Sequence, residues 1–276
     1  MMSFCIKSYK ALENGCSMLI RQRRLIVEMT RRELNDQYAG QLLGYLWSIL
    51  HPIIFISVYI FIFGVVFSAK IGGTYDMPLD YTTYILSGLV PWLAFQSSLA
   101  KTSIALTSNS SLVKQVVFPL EVLPIKMVFS TCYTQFVSVV VLFFYVSLKY
   151  GLPMPSYFLL PVLMVFQFFA TLGVGFILAA TTPFFRDVKD VISVYAVIGI
   201  YLVPVVYLPQ WMPSIFKSLI YANPVSYMIW CYQDVLYFGR MVHPISWVIF
   251  SIGSLLLFSL GLRYFQKVKY YVGNVL

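Results

Sequence analysis

The stretch RRELNDQYAGQLLGYLWSILHP, residues 31–52, begins with four charges in six residues and ends in an apolar run. Within it, an apolar residue recurs at every fourth position as one stripe: Leu34, Tyr38, Leu42 and Leu46. Arg32 and Asp36 are also four residues apart, the spacing of a helical ion pair. This pattern predicts an amphipathic helix at the membrane surface, the interface helix, over residues 21–44.

Two glycines, Gly40 and Gly44, stand between this helix and the apolar run. Small residues four apart allow either close helix packing or a bend where the chain turns into the membrane. The basic residues before position 33 add attraction to anionic lipid. The stretch therefore marks the junction between a surface helix and a first membrane span, and a plain lipid anchor is the alternative interpretation.

The composition places the whole chain in the membrane class. Its 276 residues are 60% hydrophobic and 11% charged, and the mean hydropathy is +0.82, far from the balance of soluble domains. The net charge of +9 does not indicate nucleic-acid binding, because Lys and Arg lie in short loops between apolar runs. The four cysteines lack CxxC spacing and indicate neither a zinc site nor a disulfide framework.

Six apolar runs without an internal charge are long enough to cross a bilayer as helices, which takes about 20 residues. They cover 49–69, 81–100, 127–148, 157–181, 191–208 and 245–262. The runs are continuously apolar, whereas the strands of a membrane barrel alternate in polarity. The predicted fold class is an all-α integral membrane protein with six transmembrane helices and an N-terminal amphipathic interface helix.

The interval between the fifth and sixth runs has a different pattern. It holds two apolar stretches, 211–220 and 225–238, that are each too short to span and are separated by prolines. Such pieces predict re-entrant helices, which enter the membrane and return on the same side.

The distribution of positive charge sets the orientation, because basic loops remain on the cytoplasmic side. With both termini in the cytoplasm, the outer side retains only four of the 19 Lys and Arg residues: Lys70, Lys149, Lys217 and Arg240. This orientation places the segments 101–126 and 182–190 in the cytoplasm and 209–244 outside.

The spans lack the residues that membrane chemistry requires. Ion-coupled transporters carry ionisable residues within their spans, and enzymes carry clusters of His, Asp or Glu for acid–base or metal chemistry. Only His51 lies near a span, and it precedes a proline, as does His243, so both indicate structural roles. We predict no catalytic residue and no metal site. Because a G-x-x-x-x-G-K-[ST] loop is also missing from the sequence, the chain is either a passive channel or the partner of a separate ATPase.

A second amphipathic piece, NSSLVKQVVFPLEVLP at 109–124, lies in the first cytoplasmic segment. Asn109 or Ser110 can cap a short helix there, and Pro119 ends it. Its apolar face can either fit a groove on a partner protein or rest on the membrane.

These motifs resemble those of ABC-2 type polysaccharide-export permeases. RRELNDQYAGQLLGYLWSILHPI resembles the segment that opens their first span, and NSSLVKQVVFPLEVLP resembles their coupling helix. FFRDVKDV at 184–191 is similar to their second cytoplasmic loop, and YANPVSYMIW at 221–230 to their outward re-entrant helices. The four pieces occur in the family's order and cover nearly the whole chain.

The resemblance implies a single transmembrane domain over 1–276 in the bacterial inner membrane. It implies a homodimer that works with two copies of a separate ATPase, which binds ATP and Mg, so that the chain itself needs no cofactor and is no enzyme. The implied substrate is undecaprenyl-linked polysaccharide of the O-antigen, capsule or teichoic-acid type. An exporter of a drug or small lipid, and a membrane scaffold for glycan biosynthesis, are the alternatives.

The resemblance also implies site residues, all named here as expectations. The coupling helix, 109–118, and the second loop would contact the ATPase through Ser110, Leu112, Val113, Lys114, Val116, Val117, Arg186 and Asp187. The lipid pyrophosphate would enter at Arg31, Arg32, Leu43 and Gly44, and the substrate path would include Tyr38, Trp47 and Tyr59. The outer gate, 209–240, would use Trp211, Asn223, Pro224 and Tyr227. Asn35 and Gln37 replace basic residues of the family's pattern, so anion binding would rest on the two arginines.

Overall fold

The computed structural model describes residues 2–67, 78–114, 118–151, 154–209, 212–273 and 275, with residues 2–10 and 215 as backbone only. Every regular element in these ranges is helical. In chain order the helices are α1 (Met2–Arg21), α2 (Arg23–Asp36), α3 (Gly44–Val66), α4 (Tyr81–Ser103), α5 (Ser110–Val113), α6 (Val122–Tyr150), α7 (Pro155–Thr181), α8 (Val188–Ile198), α9 (Ser214–Ala222), α10 (Pro224–Gln233) and α11 (Pro244–Val272).

Among the described residues, four helices are long and apolar enough to cross a membrane: α3, α6, α7 and α11. They contain the predicted spans 127–148, 157–181 and 245–262 and most of 49–69, whose last residues lie outside the described ranges. Helix α4 contains the predicted span 81–100 and has 23 residues. It is less apolar than these four helices. Most of its side chains are buried against other helices, where Ser and Thr are tolerated, and few of them face lipid.

The fifth predicted span, 191–208, does not form as one helix. Helix α8 continues only as a 3₁₀ turn, Gly199–Leu202, and Val203 is extended, with φ −129° and ψ 153°. Pro204 follows and cannot supply a backbone N–H to a continuing helix. The described helical stretch is therefore shorter than the roughly 20 residues that a straight crossing requires.

The bounds predicted for the interface helix, 21–44, are wrong at both ends. The chain forms two helices, α1 and α2, and α2 ends at Asp36. Gly40 and Gly44 take positive φ angles of 80° and 46°, which glycine adopts without steric cost, and so the glycines bend the chain. Leu42 is fully exposed, so the apolar residues at every fourth position do not form one buried face. The predicted pair within α2 is confirmed, with Arg32 Nε 3.5 Å from Asp36 Oδ2.

Glycines set the closest helix contact. Helices α7 and α11 form the most extensive helix pair, and they cross at Gly173 and Gly261. A Cβ atom at Gly261 would lie 2.0 Å from the carbonyl oxygen of Gly173. The two backbones therefore touch, as small residues permit between membrane helices. Helix α1 also packs on α11, where Gly15 faces Phe258.

The interval between α8 and α11 contains two short helices, as its apolar stretches predict. Helix α9 is largely exposed, whereas α10 and the π-helical turn that continues it, Asp234–Phe238, are among the most buried parts of the chain. Helix α10 packs against α4 and α11. At Gly88 of α4, an added Cβ would lie 3.0 Å from Ile229 of α10, so these two helices also approach closely.

Candidate functional site

Ion pairs connect α2, the 101–126 segment and the end of α11 at one end of the bundle, here called the basic end. Lys126 Nζ lies 2.9 Å from Glu33 Oε2 and donates to Asn109 Oδ1 at 3.4 Å. The Lys126 side chain is 7% exposed and that of Glu33 20% exposed. A pair this buried is costly to break, because the remaining partner becomes an uncompensated charge.

Two further lysines complete this end. Lys101 donates to Gln37 Oε1 at 3.0 Å and to Ser130 Oγ at 3.3 Å. Lys269, in the last turns of α11, donates to Glu121 Oε1 at 2.6 Å. These contacts place the segments that were predicted to share one membrane side at the same end of the fold.

The predicted ATPase-coupling residues divide into two groups. Ser110 and Arg186 line one groove of about 280 Å³, together with Lys189, so the structure brings the two predicted cytoplasmic loops together. Lys114 and Asp187 are both exposed, and they lie close in sequence to Ser110 and Arg186.

Val113, in contrast, is only 7% exposed and packs in the chain's own core, with Leu112 against the same cluster. Val113 therefore anchors α5 inward, and the prediction that its side chain contacts a partner is wrong. Leu112 is only partly buried, so its contact with a partner stays a prediction. The predicted cap at Asn109 does not form either, because its Oδ1 accepts from Lys126 Nζ rather than from a backbone N–H of α5. Val116 and Val117 lie outside the described residues.

A cleft of about 650 Å³ lies beside α2 at the basic end. Arg31 lines it, and so do Arg23, Asn35, Tyr45 and Phe129. The cleft thus combines two guanidinium groups with apolar walls. The other predicted entrance residues do not line it: Arg32 is paired with Asp36, Leu43 is exposed, and Gly44 supplies the bend.

A second cleft, of about 280 Å³, separates α3, α4 and α6. It is lined by many polar side chains: Gln37, Tyr38, His51, Gln96, Ser97, Lys101, Thr131, Thr134, Gln135 and Ser138. Such a polar lining is unusual between apolar spans. It favours water or a hydroxyl-rich ligand in the cleft. Tyr38, a predicted path residue, lies here, whereas Trp47 and Tyr59 do not line this cleft.

Tyr59 instead belongs to an aromatic ladder along α3. The members follow at four-residue spacing: His51, Phe55, Tyr59, Phe63 and Phe67. Successive ring centroids are 6.4, 5.0, 6.0 and 5.7 Å apart. Phe63 also contacts Tyr81 at 6.3 Å, which extends the aromatic surface to the start of α4. The ladder presents a continuous row of rings beside the polar cleft.

Buried amides connect the membrane helices, and the sequence analysis missed them. Gln135 Nε2 donates to Gln167 Oε1 at 2.7 Å and lies 3.0 Å from the Tyr232 hydroxyl. Gln167 Nε2 donates to Pro91 O at 3.0 Å. These bonds join α4, α6, α7 and α10. The available signal was the presence of single glutamines inside otherwise apolar runs.

The opposite end of the bundle carries a charged clamp. The Asp80 carboxylate caps α4, accepts hydrogen bonds from Tyr145 at 3.0 Å and lies 2.8 Å from Lys149 Nζ. Burial raises the pKa of Asp80, but hydrogen bonds from Lys149, Thr83, Tyr150 and Tyr145 outweigh burial and lower the pKa to about 2. The carboxylate therefore remains charged at any physiological pH and holds α4 to α6.

Asp234 is a further residue that the sequence analysis missed. It is 1% exposed, and its carboxylate lies 2.8 Å from His243 Nδ1 and accepts from Trp247 Nε1 at 3.0 Å. A lone carboxylate inside the apolar stretch 225–238 was the signal that could have revealed it. The cluster ties the end of α10 to the start of α11.

The predicted gate residues occupy the junction between α8 and α10. Asn223 caps α10 by accepting from Val225 N at 3.0 Å and donates to Leu202 O at 3.1 Å. Pro224 is the first residue of α10, and the Tyr227 hydroxyl donates to Tyr221 O at 2.7 Å. Trp211 lies outside the described residues.

Comparison with known proteins adds a family match to this geometry. A sequence model of the family described as ABC-2 type transporter matches residues 24–237. The chain is 30% identical to an O-antigen export system permease protein RfbA of Klebsiella pneumoniae, over 91% of this chain and 95% of that protein. It is also 30% identical to an RfbA permease of Myxococcus xanthus, over 81% of this chain and 84% of that protein.

Proposed function

This chain belongs to the family of ABC-2 type transporters, and on that premise we propose that it is the permease of an ATP-driven exporter of O-antigen polysaccharide. The observation that carries the proposal is the aromatic ladder of α3 beside the polar cleft. Sugar rings pack their C–H faces on aromatic rings, while their hydroxyls bond to polar side chains. The described spans offer both surfaces side by side.

The proposed topology has six membrane crossings with both termini in the cytoplasm of a bacterial inner membrane. Helices α3, α4, α6, α7 and α11 supply five crossings, and α8 with the residues that follow supplies the other. Helices α9 and α10 enter from the outer side and return. The basic end supports this orientation, because Lys101, Lys126 and Lys269 lie together there.

The proposed assembly is a homodimer with two copies of a separate ATPase. Helix α3 supports the dimer. It carries the ladder, and yet only 11% of its most apolar 18 residues are buried within one chain. A second copy would enclose the ladder in a symmetric conduit. ATP and Mg are held by the ATPase, which would dock on the groove lined by Ser110 and Arg186. Exposed Phe185 beside that groove supplies an apolar contact.

The cleft beside α2 is the proposed entrance for the substrate, undecaprenyl-linked polysaccharide. Its guanidinium groups suit the pyrophosphate, and its apolar walls suit the lipid. Passage would then follow Tyr38 and the ladder toward the outer end, where Asn223, Pro224 and Tyr227 hold the gate helices.

We expect Arg31→Ala to slow export, because Arg31 lines the cleft and a hydrogen bond to a charged group contributes roughly 1.5–3 kcal/mol. At limiting substrate the rate should fall roughly tenfold or more. The measurement is the rate of appearance of surface polysaccharide in cells with equal amounts of permease. Arg32→Ala is the matched control, because that side chain is 77% exposed and paired with Asp36. Equal effects of both substitutions would contradict the entrance.

The function itself is tested by depleting the protein and comparing lipid-linked glycan inside the cell with polysaccharide at the surface. Export predicts accumulation inside and loss outside, and the same result when the partner ATPase carries a Lys→Ala change in its phosphate loop. Unchanged glycan in both fractions would contradict glycan export and favour a small-molecule exporter. A phenotype that persists without ATP hydrolysis would favour a scaffold.

A further inference from the structure

The polar cleft between α3, α4 and α6 carries a positive charge in its wall. Among the described residues that line the cleft, Lys101 is the only Asp, Glu, Lys or Arg. Its Nζ donates to Gln37 Oε1 at 3.0 Å and to Ser130 Oγ at 3.3 Å. Gln37 lines the same cleft, so the end of the Lys101 side chain lies at the cleft wall. Both acceptors are neutral, and no described residue accepts from the third N–H of the ammonium group.

Other lysines at the basic end are paired with carboxylates, whereas Lys101 is not. Lys126 lies 2.9 Å from Glu33, and Lys269 lies 2.6 Å from Glu121. Glu33 is close enough to attract Lys101 electrostatically, but its carboxylate is bound by Lys126. Within the described part of the chain, no carboxylate forms an ion pair with Lys101. The positive charge in the cleft is therefore available to an anion from outside the chain.

A row of hydroxyl groups continues from Lys101 along α6. Ser130, Thr134 and Ser138 recur at every fourth position and so share one face of the helix. Thr134 and Ser138 line the cleft, and each hydroxyl donates to a helix carbonyl, at 3.2 and 3.0 Å. Their oxygens therefore remain acceptors for a ligand hydroxyl. The cleft thus offers a cation near the basic end of the bundle and hydroxyl acceptors from there into the membrane.

This order of groups selects a charged sugar as the ligand. Phosphate and carboxylate oxygens form hydrogen bonds with an ammonium that are about twice as strong as those of neutral oxygens. Ring hydroxyls can donate to the acceptors of α6, and the rings of Tyr38 and Phe55 line the same cleft and suit C–H faces. An acyl chain would leave the polar groups unpaired, and Lys101 would repel a metal cation. The volume, about 280 Å³, is just below the roughly 300–1,000 Å³ of pockets for drug-sized molecules and so suits one sugar unit.

We propose that the polar cleft is a selectivity site for a charged sugar unit, in which Lys101 Nζ donates to a phosphate or carboxylate and Thr134 and Ser138 accept from ring hydroxyls. This assignment rests on the proposed function and adds Lys101 to the substrate path as a specificity residue. The anion has two possible sources: the sugar phosphate at the lipid-linked end, or an acidic sugar within the glycan. The probes of the test separate these sources.

The test uses the full-length chain in phosphatidylcholine nanodiscs and saturation-transfer NMR. The probes are glucose 1-phosphate, methyl glucuronoside and, as the neutral reference, methyl glucopyranoside. We expect saturation transfer to at least one charged probe, and we expect the neutral probe to bind roughly tenfold more weakly, because it lacks the charge-assisted hydrogen bond. This comparison uses the unchanged chain, so it decides the proposal even if a variant fails to fold.

Substitutions then assign the preference to one residue. Lys101→Met removes the charge with little change in length, and it should lower the affinity for the charged probe to that for the neutral one. Lys101→Arg keeps the charge and should retain the preference. Lys267→Met is the matched control, because Lys267 is an exposed lysine near the end of α11 and does not line the cleft. A thermal melt of each variant establishes that it is folded.

A preference for glucose 1-phosphate alone would support the site and assign it to the lipid-linked end, and a preference for the glucuronoside alone would support it and assign it to an acidic unit of the glycan. Equal binding of charged and neutral probes, no binding of any probe, or a preference that survives Lys101→Met would overturn the site. The proposed function is judged separately, by depletion. If depletion abolishes surface polysaccharide while Lys101→Met keeps the preference, the exporter stands and the selectivity site fails. Charged-sugar binding through Lys101 with unchanged glycan after depletion would leave the site and contradict glycan export.

Discussion

Gly261→Ala is expected to abolish most of the folded protein. The new Cβ would lie 2.0 Å from Gly173 O and 2.7 Å from Gly173 C, which are backbone atoms that no side-chain rotation can move. The helices α7 and α11 would have to separate along their most extensive contact. Overpacking usually costs about 1–3 kcal/mol of folding free energy. Because the clash here is with backbone atoms, we expect the cost of Gly261→Ala to reach or exceed the upper value. The measurement is the yield of monodisperse protein after detergent extraction, followed by a thermal melt.

Gly253→Ala is the matched control on the same helix. No atom lies within 4 Å of a Cβ at Gly253, and alanine favours a helix over glycine by up to about 1 kcal/mol. Its yield and melting temperature should therefore equal or slightly exceed those of the unchanged protein. If the two substitutions behave alike, the glycine crossing does not hold these helices together.

The sequence predicts the membrane class and most helix positions, because long apolar runs have few alternatives to a membrane helix. It could not decide the role of the glycines. Gly40 and Gly44, at the spacing of a packing motif, form a bend, whereas Gly173 and Gly261 form the close contact. The latter pair is invisible in sequence, because each glycine has its partner on another helix.

The candidate site shows the same division. The types of residue at the basic end are evident in the sequence, and Arg31 lines a cleft. The partnerships are not evident, since Glu121 and Lys269 are 148 positions apart. Val113 illustrates the converse error: an apolar residue on a short cytoplasmic helix can anchor that helix inward as readily as contact a partner.

Lys126→Glu is expected to uncouple the N-terminal helices from the rest of the basic end. Lys126 joins α6 to Glu33 of α2 and to Asn109, which immediately precedes α5. Reversal of its charge would place two carboxylates together in a largely buried site. Breaking a buried pair costs about 3–5 kcal/mol, so we expect a large fall in melting temperature. In the proposed exporter, less polysaccharide should also leave per ATP hydrolysed, because motion at the groove of Ser110 would no longer reach α2.

The double variant Glu33→Lys with Lys126→Glu restores opposite charges in the same place and should recover much of both losses. A merely destabilising role for position 126 predicts instead that the two substitutions add. The exposed pair of Arg32 and Asp36 provides the control, since swapping its charges should change stability by at most about 1 kcal/mol. If the double variant recovers melting temperature but not export per ATP, the Glu33–Lys126 pair holds the fold together without transmitting motion. Recovery of both would place the pair on the route from the ATPase groove to the proposed entrance.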